Sequence, residues 1–164
     1  MSSIHFVKRE LAEAFARGVC QCVVIASRPH LREAITSSTD ETVKVFAIDE
    51  KLPSLAEALE ESDFDKQKAS FFVWLGDARY RTIDAAISSL AFIASLPIGS
   101  GVLLDYAALD ALASRLCFAG GAVMHLIQPQ AVAALLRGLG FQKIVDLAQE
   151  DWQASGGHLV SAVV

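Results

Sequence analysis

Short apolar runs alternate with helix-like segments through most of this 164-residue chain. Four of these runs have the length of a strand and are rich in β-branched or aromatic residues: QCVVIAS, TVKVFAID, ASFFVWLG and GVLLDYA. Parallel strands need a long crossover, which is usually a helix, so this alternation is typical of parallel sheets. It predicts an α/β fold with a mostly parallel sheet, helices on both faces and right-handed crossovers.

The helical segments carry recognisable start and stop signals. The first ends near Gly18, the second has Pro29 in its first turn, and a third has Ser54 and Glu57 at capping-box spacing. The clearest helix lies in RTIDAAISSLAFIASLP, where Pro97 and Gly99 end it. Two later helices are predicted in ALDALASRLCFAGG and QPQAVAALLRGLG. The apolar stripe of the clearest helix comprises Ile83, Ala86, Ile87, Leu90, Ile93 and Ala94.

The end of the chain departs from the alternating pattern. Two strand-like runs, FQKIVDLA and GHLVSAVV, follow one another with the break SGG between them and no helix. This arrangement predicts an antiparallel hairpin at one edge of the sheet. The length of the chain suits one domain, covering residues 1–164.

Composition and charge exclude several function classes. The formal net charge is −5 and no cluster of Lys or Arg occurs, so we expect no nucleic-acid partner. No apolar run is long enough for a membrane span, and the charged N-terminal segment is unlike a signal peptide. Three cysteines without framework spacing indicate reduced thiols and a cytoplasmic location. Cys20 and Cys22 have no further ligands nearby, so no metal site is expected.

Polar residues gather where the predicted parallel strands end. In such sheets ligands bind beyond the carboxyl ends of the strands. Those ends carry residues 26–30, Asp49 with Glu50, residues 75–80, and Asp105 with Tyr106. The first of these loops, Ala-Ser-Arg-Pro-His, contains none of the glycines that let main chain approach a cofactor.

Several candidate residues also have purely structural interpretations. Phe72 and Trp74 alternate with other apolar residues along a strand, which favours core positions over a substrate platform. Asp49 and Asp105 either contact a ligand or simply close their strands. His30 with Arg28 could bind an anion at a helix start, although a solvated loop fits better because Pro29 removes a donor. No nucleophile elbow, P-loop or zinc-protease motif is present, and the catalytic residues stay unknown.

Three stretches resemble the leucine carboxyl methyltransferase-like family, which includes many bacterial O-methyltransferases of the class I S-adenosylmethionine-dependent type. AFARGVCQCVVIA is similar to the family lead-in A-x-x-x-G-x-x-Q-x-V-I-L. The centre, residues 54–107, resembles the centre of the family, which includes an element of the type Phe-x-x-Trp-(Glu or Leu)-Gly-x-x-x-Tyr-Leu. LLRGLGFQKIVDLAQED resembles the late Leu-Gly-Phe passage. The resemblance implies a Rossmann-like methyltransferase fold, an S-adenosylmethionine cofactor and a small-molecule acceptor.

The resemblance also implies cofactor-binding positions. In the family the first loop packs on the methionine part of the cofactor, a second-strand acid holds the ribose hydroxyls, and a third-strand Asp lies near the adenine. Carried over by motif, the candidate cofactor-binding residues are Ala26, Ser27, Asp49, Leu75, Gly76 and Tyr80. Asp49 is assigned to the third strand because the spacing from Lys44 to Gly76 fits the family from that strand onward; a second-strand assignment stays open.

The chain departs from the family in three places. The glycine-rich first loop is replaced by ASRPHLR, in which Arg32 alone matches, one strand–helix unit is missing, and the helical cap before the core is absent. Two functions therefore stay open. One is O- or carboxyl-methyl transfer to a small molecule; the other is a non-catalytic scaffold or regulatory protein that does not bind the cofactor. The missing parts predict uncovered apolar surface and hence a homo-oligomer.

Overall fold

The computed structural model of the protein describes residues 3–26, 29–37, 39, 42–48, 55–75, 83–105, 129–146 and 159–164. The described residues contain five helices and six strands. The helices are α1 (Ser3–Ala16), α2 (Pro29–Thr36), α3 (Leu55–Glu60), α4 (Ile83–Ala94) and α5 (Pro129–Leu139). The strands are β1 (Gln21–Ala26), β2 (Lys44–Ile48), β3 (Ser70–Leu75), β4 (Gly101–Asp105), β5 (Lys143–Asp146) and β6 (Leu159–Val163).

The strands form one sheet in the order β2-β1-β3-β4-β6-β5. The first four strands are parallel to one another, while β6 pairs antiparallel with both β4 and β5. The mostly parallel sheet and the C-terminal antiparallel hairpin are therefore confirmed. The hairpin's second strand, β6, lies inside the sheet and its first strand, β5, forms the edge.

Helices cover both faces of the sheet. Alternate residues of β1, β3 and β4 point to opposite faces, as the two-residue period of a strand requires. Cys22 and Val24 pack with α1 and α2 on one face, while Val23 and Ile25 pack with α3, α4 and α5 on the other. All four side chains are fully buried, which explains the continuous apolar run in β1.

Two helices end in the same way, as the glycines in the sequence predict. Gly18 follows α1 with a φ of 95°, and Gly140 follows α5 with a φ of 120°, a region that favours glycine. After α1, the amide of Gly18 donates to Phe15 O and that of Val19 to Ala14 O, which is a Schellman arrangement. The apolar residue after each glycine, Val19 or Phe141, is buried in the core.

The strand order bears on an assignment that the sequence left open. In the doubly wound order 3-2-1-4-5-6, the strand beside the first is the second, and the third lies outside it. β2 pairs directly with β1, with Lys44 opposite Gln21 and Ile48 opposite Ile25. β2 therefore occupies the second-strand place, which favours the second-strand assignment of Val43–Glu50 that the sequence left open. Spacing along the chain does not reveal which neighbour a strand pairs with.

The core predictions from the sequence hold at the described positions. Phe72 and Trp74 are buried, at 0% and 3% exposure, so they are core residues rather than a platform for substrate. In α4, Leu90 and Ile93 are buried, and Ile87 and Ala94 pack against the same core. The predicted helix in ALDALASRLCFAGG and the Ser54 cap lie outside the described residues.

Candidate functional site at the carboxyl edge of the sheet

The carboxyl ends of β1 and β3 lie side by side in the sheet. Ala26 and Leu75, the last residues of the two strands, are partners in the parallel register. From β1 the chain passes through α2 on one face of the sheet to β2, which lies on one flank of β1. It then passes through α3 on the opposite face to β3, which lies on the other flank of β1. The strand order thus reverses between β1 and β3, which is where open α/β sheets bind ligands.

Two further strand ends border this point. Ile48 ends β2 opposite Ile25, and Asp105 ends β4 one residue after Leu104, which pairs with Trp74. The sheet therefore brings Ala26 and Leu75 of the predicted set together. The other predicted cofactor residues, Ser27, Asp49, Gly76 and Tyr80, lie outside the described residues, so their roles stay predictions.

A cation stands at the end of β2. Arg32, in the first half of α2, donates from Nη2 to the carbonyl oxygen of Ile48 at 3.2 Å. This bond ties α2 to the second-strand end, immediately before the acidic pair Asp49-Glu50 in the sequence. The motif comparison matched Arg32 to the family's first loop, but only the folded structure brings its guanidinium to another strand.

The start of α2 differs from a glycine-rich phosphate or methionine cradle. Pro29 is the first helical residue, which removes one amide donor from the helix start. His30 is exposed on this helix, in agreement with the solvated interpretation.

A second depression lies away from the carboxyl edge. It is a cavity of about 220 Å³ between α1 and the β5–β6 hairpin. Its lining mixes cations and acids, including Arg9, Glu13 and Lys143, with Val145 and Val163. This mixture favours neither an anionic nor a cationic ligand. Within the described ranges, no three His, Cys, Asp or Glu side chains are grouped so that they could hold a metal ion.

Several solved structures share the fold of this chain. A DUF574 family protein from Streptomyces avermitilis superposes with a TM-score of 0.56 and 13% identity, over 98% of this chain and 80% of that one. A candidate O-methyltransferase from Nostoc punctiforme also gives a TM-score of 0.56, with 10% identity over 96% of this chain and 55% of that one. Phosphoethanolamine N-methyltransferase 2 from Haemonchus contortus, solved with S-adenosylhomocysteine, gives 0.53 and 13% identity over 96% of this chain and 37% of that one.

The chain has the fold of S-adenosylmethionine-dependent methyltransferases. No protein-family model matches the sequence, and no curated protein matches it either. The narrower resemblance to leucine carboxyl methyltransferases stays a prediction. The chain spans about half of the length of the Nostoc protein and just over a third of the length of the Haemonchus enzyme. None of the described helices is both long and apolar enough to cross a membrane.

Proposed function

We propose that the chain is a methyltransferase homologue that binds S-adenosylmethionine at the carboxyl edge between β1 and β3. It would transfer the methyl group to an oxygen or carboxylate of a small molecule. The observation that carries this proposal is the pairing of Ala26 with Leu75 at the point where the strand order reverses. When bound, the cofactor would supply an electrophilic methyl group on a sulfonium.

The residues at this edge suit the nucleoside half of the cofactor. Because β2 occupies the second-strand place, the acid that follows it corresponds to the acid that holds ribose hydroxyls in doubly wound folds. We therefore assign Asp49 to the ribose, where the earlier motif comparison had it near the adenine. Arg32, held on the carbonyl of Ile48, would position this strand end.

The loop after β1 is less suited to the methionine half of the cofactor. The loop Ser27-Arg28-Pro29 offers side chains where the family has bare main chain, and a guanidinium repels a sulfonium. This loop supports a second candidate function, a scaffold or regulatory protein that has kept the fold without the cofactor. The two candidates make opposite predictions for cofactor binding.

Calorimetric titration with S-adenosylmethionine and S-adenosylhomocysteine separates them. The enzyme proposal predicts saturable binding, with a Kd in the range of about 1 μM to 1 mM that is common for enzyme ligands. Asp49→Ala should weaken binding by about 10- to 100-fold, since a hydrogen bond to a charged group contributes roughly 1.5–3 kcal/mol. Asp63→Ala, which removes an exposed acid just after α3, is the matched control and should leave the Kd unchanged.

The absence of heat and of a thermal shift at millimolar ligand would refute the enzyme proposal. In that case the double substitution Arg28→Gly/Pro29→Gly tests whether this loop prevents cofactor binding, because it replaces two side chains of the loop with glycine. Gain of binding would identify the loop as the cause of the loss. If wild type binds, methyl-labelled S-adenosylmethionine with a panel of small carboxylic acids and alcohols tests for transfer.

A further inference from the structure

The outer edge of β2 has no neighbouring strand among the described residues. β2 pairs with β1 on one side and is the first strand of the sheet order. A strand edge presents a row of backbone donors and acceptors that can pair with another chain. In the full doubly wound order 3-2-1-4-5-6, a third strand pairs with this edge of the second strand. Among the described residues of this chain no strand takes that place, so the edge of β2 is open.

β2 carries little of the protection that natural edges normally have. Its one charge, Lys44, is at its first residue, and no proline or charge interrupts Val45–Ile48. Val45 and Phe46 are half-buried, and Ala47 is exposed. The opposite edge is different: β5 has only four residues, with Lys143 at one end and Asp146 at the other. Short, charged edge strands resist pairing, so β2 is the more available of the two.

The aromatic residue at the centre of β2 belongs to a cluster that is open at this edge. Phe46 meets Phe64 edge-on, with ring centroids 5.6 Å apart. Phe64 in turn contacts Phe72 and Phe92. Phe46 itself stays half-buried because no described strand lies beyond it. A strand added here with an aromatic residue opposite Phe46 would extend the cluster.

We infer that β2 is the interface of a two-fold dimer of this chain, in which the β2 strands of two copies pair antiparallel about Phe46. A two-fold axis makes the same patch face itself, so the patch must be complementary to itself. With the axis at Phe46, Phe46 meets the partner's Phe46, and Lys44 meets the partner's Ile48. The two sheets then join into one continuous sheet.

The charges of this segment suit such a pairing. Lys44 and the partner's Lys44 would be four residues apart along the strand, roughly 14 Å, so their repulsion is largely screened at physiological salt. The sequence continues after Ile48 with Asp49 and Glu50. Antiparallel pairing sets the end of β2 in each copy, which this acidic pair follows in the sequence, opposite Lys44 of the other copy. A segment that is basic at its start and acidic at its end is therefore complementary to itself.

Sedimentation equilibrium on the full chain tests the inference. We expect a dimer in wild type and at least a tenfold rise in the dimer Kd for Ala47→Lys, which places a charge within the edge. The matched control is Ala12→Lys, at an exposed position of α1, which makes the same change elsewhere and should stay dimeric. Lys44→Glu is a second variant, at the first residue of β2. It should weaken the dimer because it replaces the positive charge that complements Asp49 and Glu50 of the other copy.

Zero-length carbodiimide cross-linking identifies the interface directly. In an equal mixture of ¹⁴N- and ¹⁵N-labelled chains, we expect peptides that join Lys44 of one label to Asp49 or Glu50 of the other. The ends of one β2 are too far apart for this link within a chain. Two results would overturn the inference. One is a wild-type chain that is monomeric at 100 μM. The other is a dimer that yields no mixed-label peptides and is not weakened by Ala47→Lys or Lys44→Glu. The result does not depend on cofactor binding.

Discussion

The buried amide of Gln21 fastens the loop before β3 to the start of the sheet. Its Nε2 donates to the carbonyl of Asp65 and to Ser70 Oγ, each at 2.9 Å, and its Oε1 accepts from the amide of Asp65 at 2.9 Å. Ser70 Oγ also donates to Lys68 O, and the Ser70 amide donates to Ser100 Oγ. Gln21 is only 2% exposed, so this network is closed to solvent at its centre.

Replacing Gln21 by Met preserves the side-chain length and removes all three hydrogen bonds. The amide of Asp65 then loses its acceptor, whereas the carbonyl oxygen of Asp65 keeps the bond from the amide of Lys68 at 3.2 Å, and an unsatisfied buried group costs about 1–3 kcal/mol. Water can reach part of this loop, since Asp65 is half-buried, so we expect a total loss of about 2–3 kcal/mol. For a domain of this size that corresponds to a fall in Tm of about 4–12 °C.

Urea denaturation followed by circular dichroism measures this loss as a change in midpoint at constant m-value. Gln67→Met provides the matched control, because Gln67 is an exposed glutamine in the same loop and its side chain should contribute less than about 0.5 kcal/mol. If the two variants had equal midpoints, the buried amide would contribute no stability and the reasoning would fail.

Three further predictions concern buried positions in the sheet and one helix. Gly101→Ala should destabilise the protein by about 1–3 kcal/mol, because the added Cβ would lie 2.8 Å from Ala162 O. Gly138→Ala should instead stabilise the protein by roughly 0.5–1 kcal/mol, because the space around Gly138 in α5 is open. Thermal melts of both variants check these opposite signs. Burial raises the pKa of the Cys22 thiol from 9.0 to about 12, so iodoacetamide at pH 8 should leave Cys22 unmodified in the folded protein and alkylate it in urea, as peptide mass spectrometry would reveal. Because the unfolded thiol ionises first, Cys22 should subtract stability only above pH 9, by about 1.4 kcal/mol per pH unit up to pH 12; a stability profile with the same slope in Cys22→Ala would contradict this.

The linear sequence was sufficient for most of the elements. Buried parallel strands need apolar residues on both faces, so β1 and β3 stand out as continuous apolar runs. Helix ends were equally legible at Gly18, because an L-residue with a side chain rarely adopts its φ of 95°. The hairpin followed from two strand-like runs with no helix between them, and the core positions of Phe72 and Trp74 followed from alternation.

The candidate site was predictable only in outline. Ala26 and Leu75 each end an apolar run, so the rule for carboxyl ends placed both at one rim, and the register confirms that they are partners. The motif comparison also marked the Gln in the family lead-in, but nothing in the pattern revealed that Gln21 bonds to a loop 44 residues away. Side-chain bonds of that span depend on packing, which local sequence does not encode.

On its own, the order of residues determined which segments are strands and helices, which faces are apolar and where the chain turns, because these depend on short-range periodicity and on backbone preferences. Only the tertiary structure decided that β2 pairs with β1 rather than lying outside a further strand, and that Arg32 reaches the carbonyl of Ile48. Any buried strand with a similar apolar pattern could occupy either place in the sheet. The choice depends on crossover direction and on the packing of α2 and α3 on opposite faces, which are properties of the assembled fold.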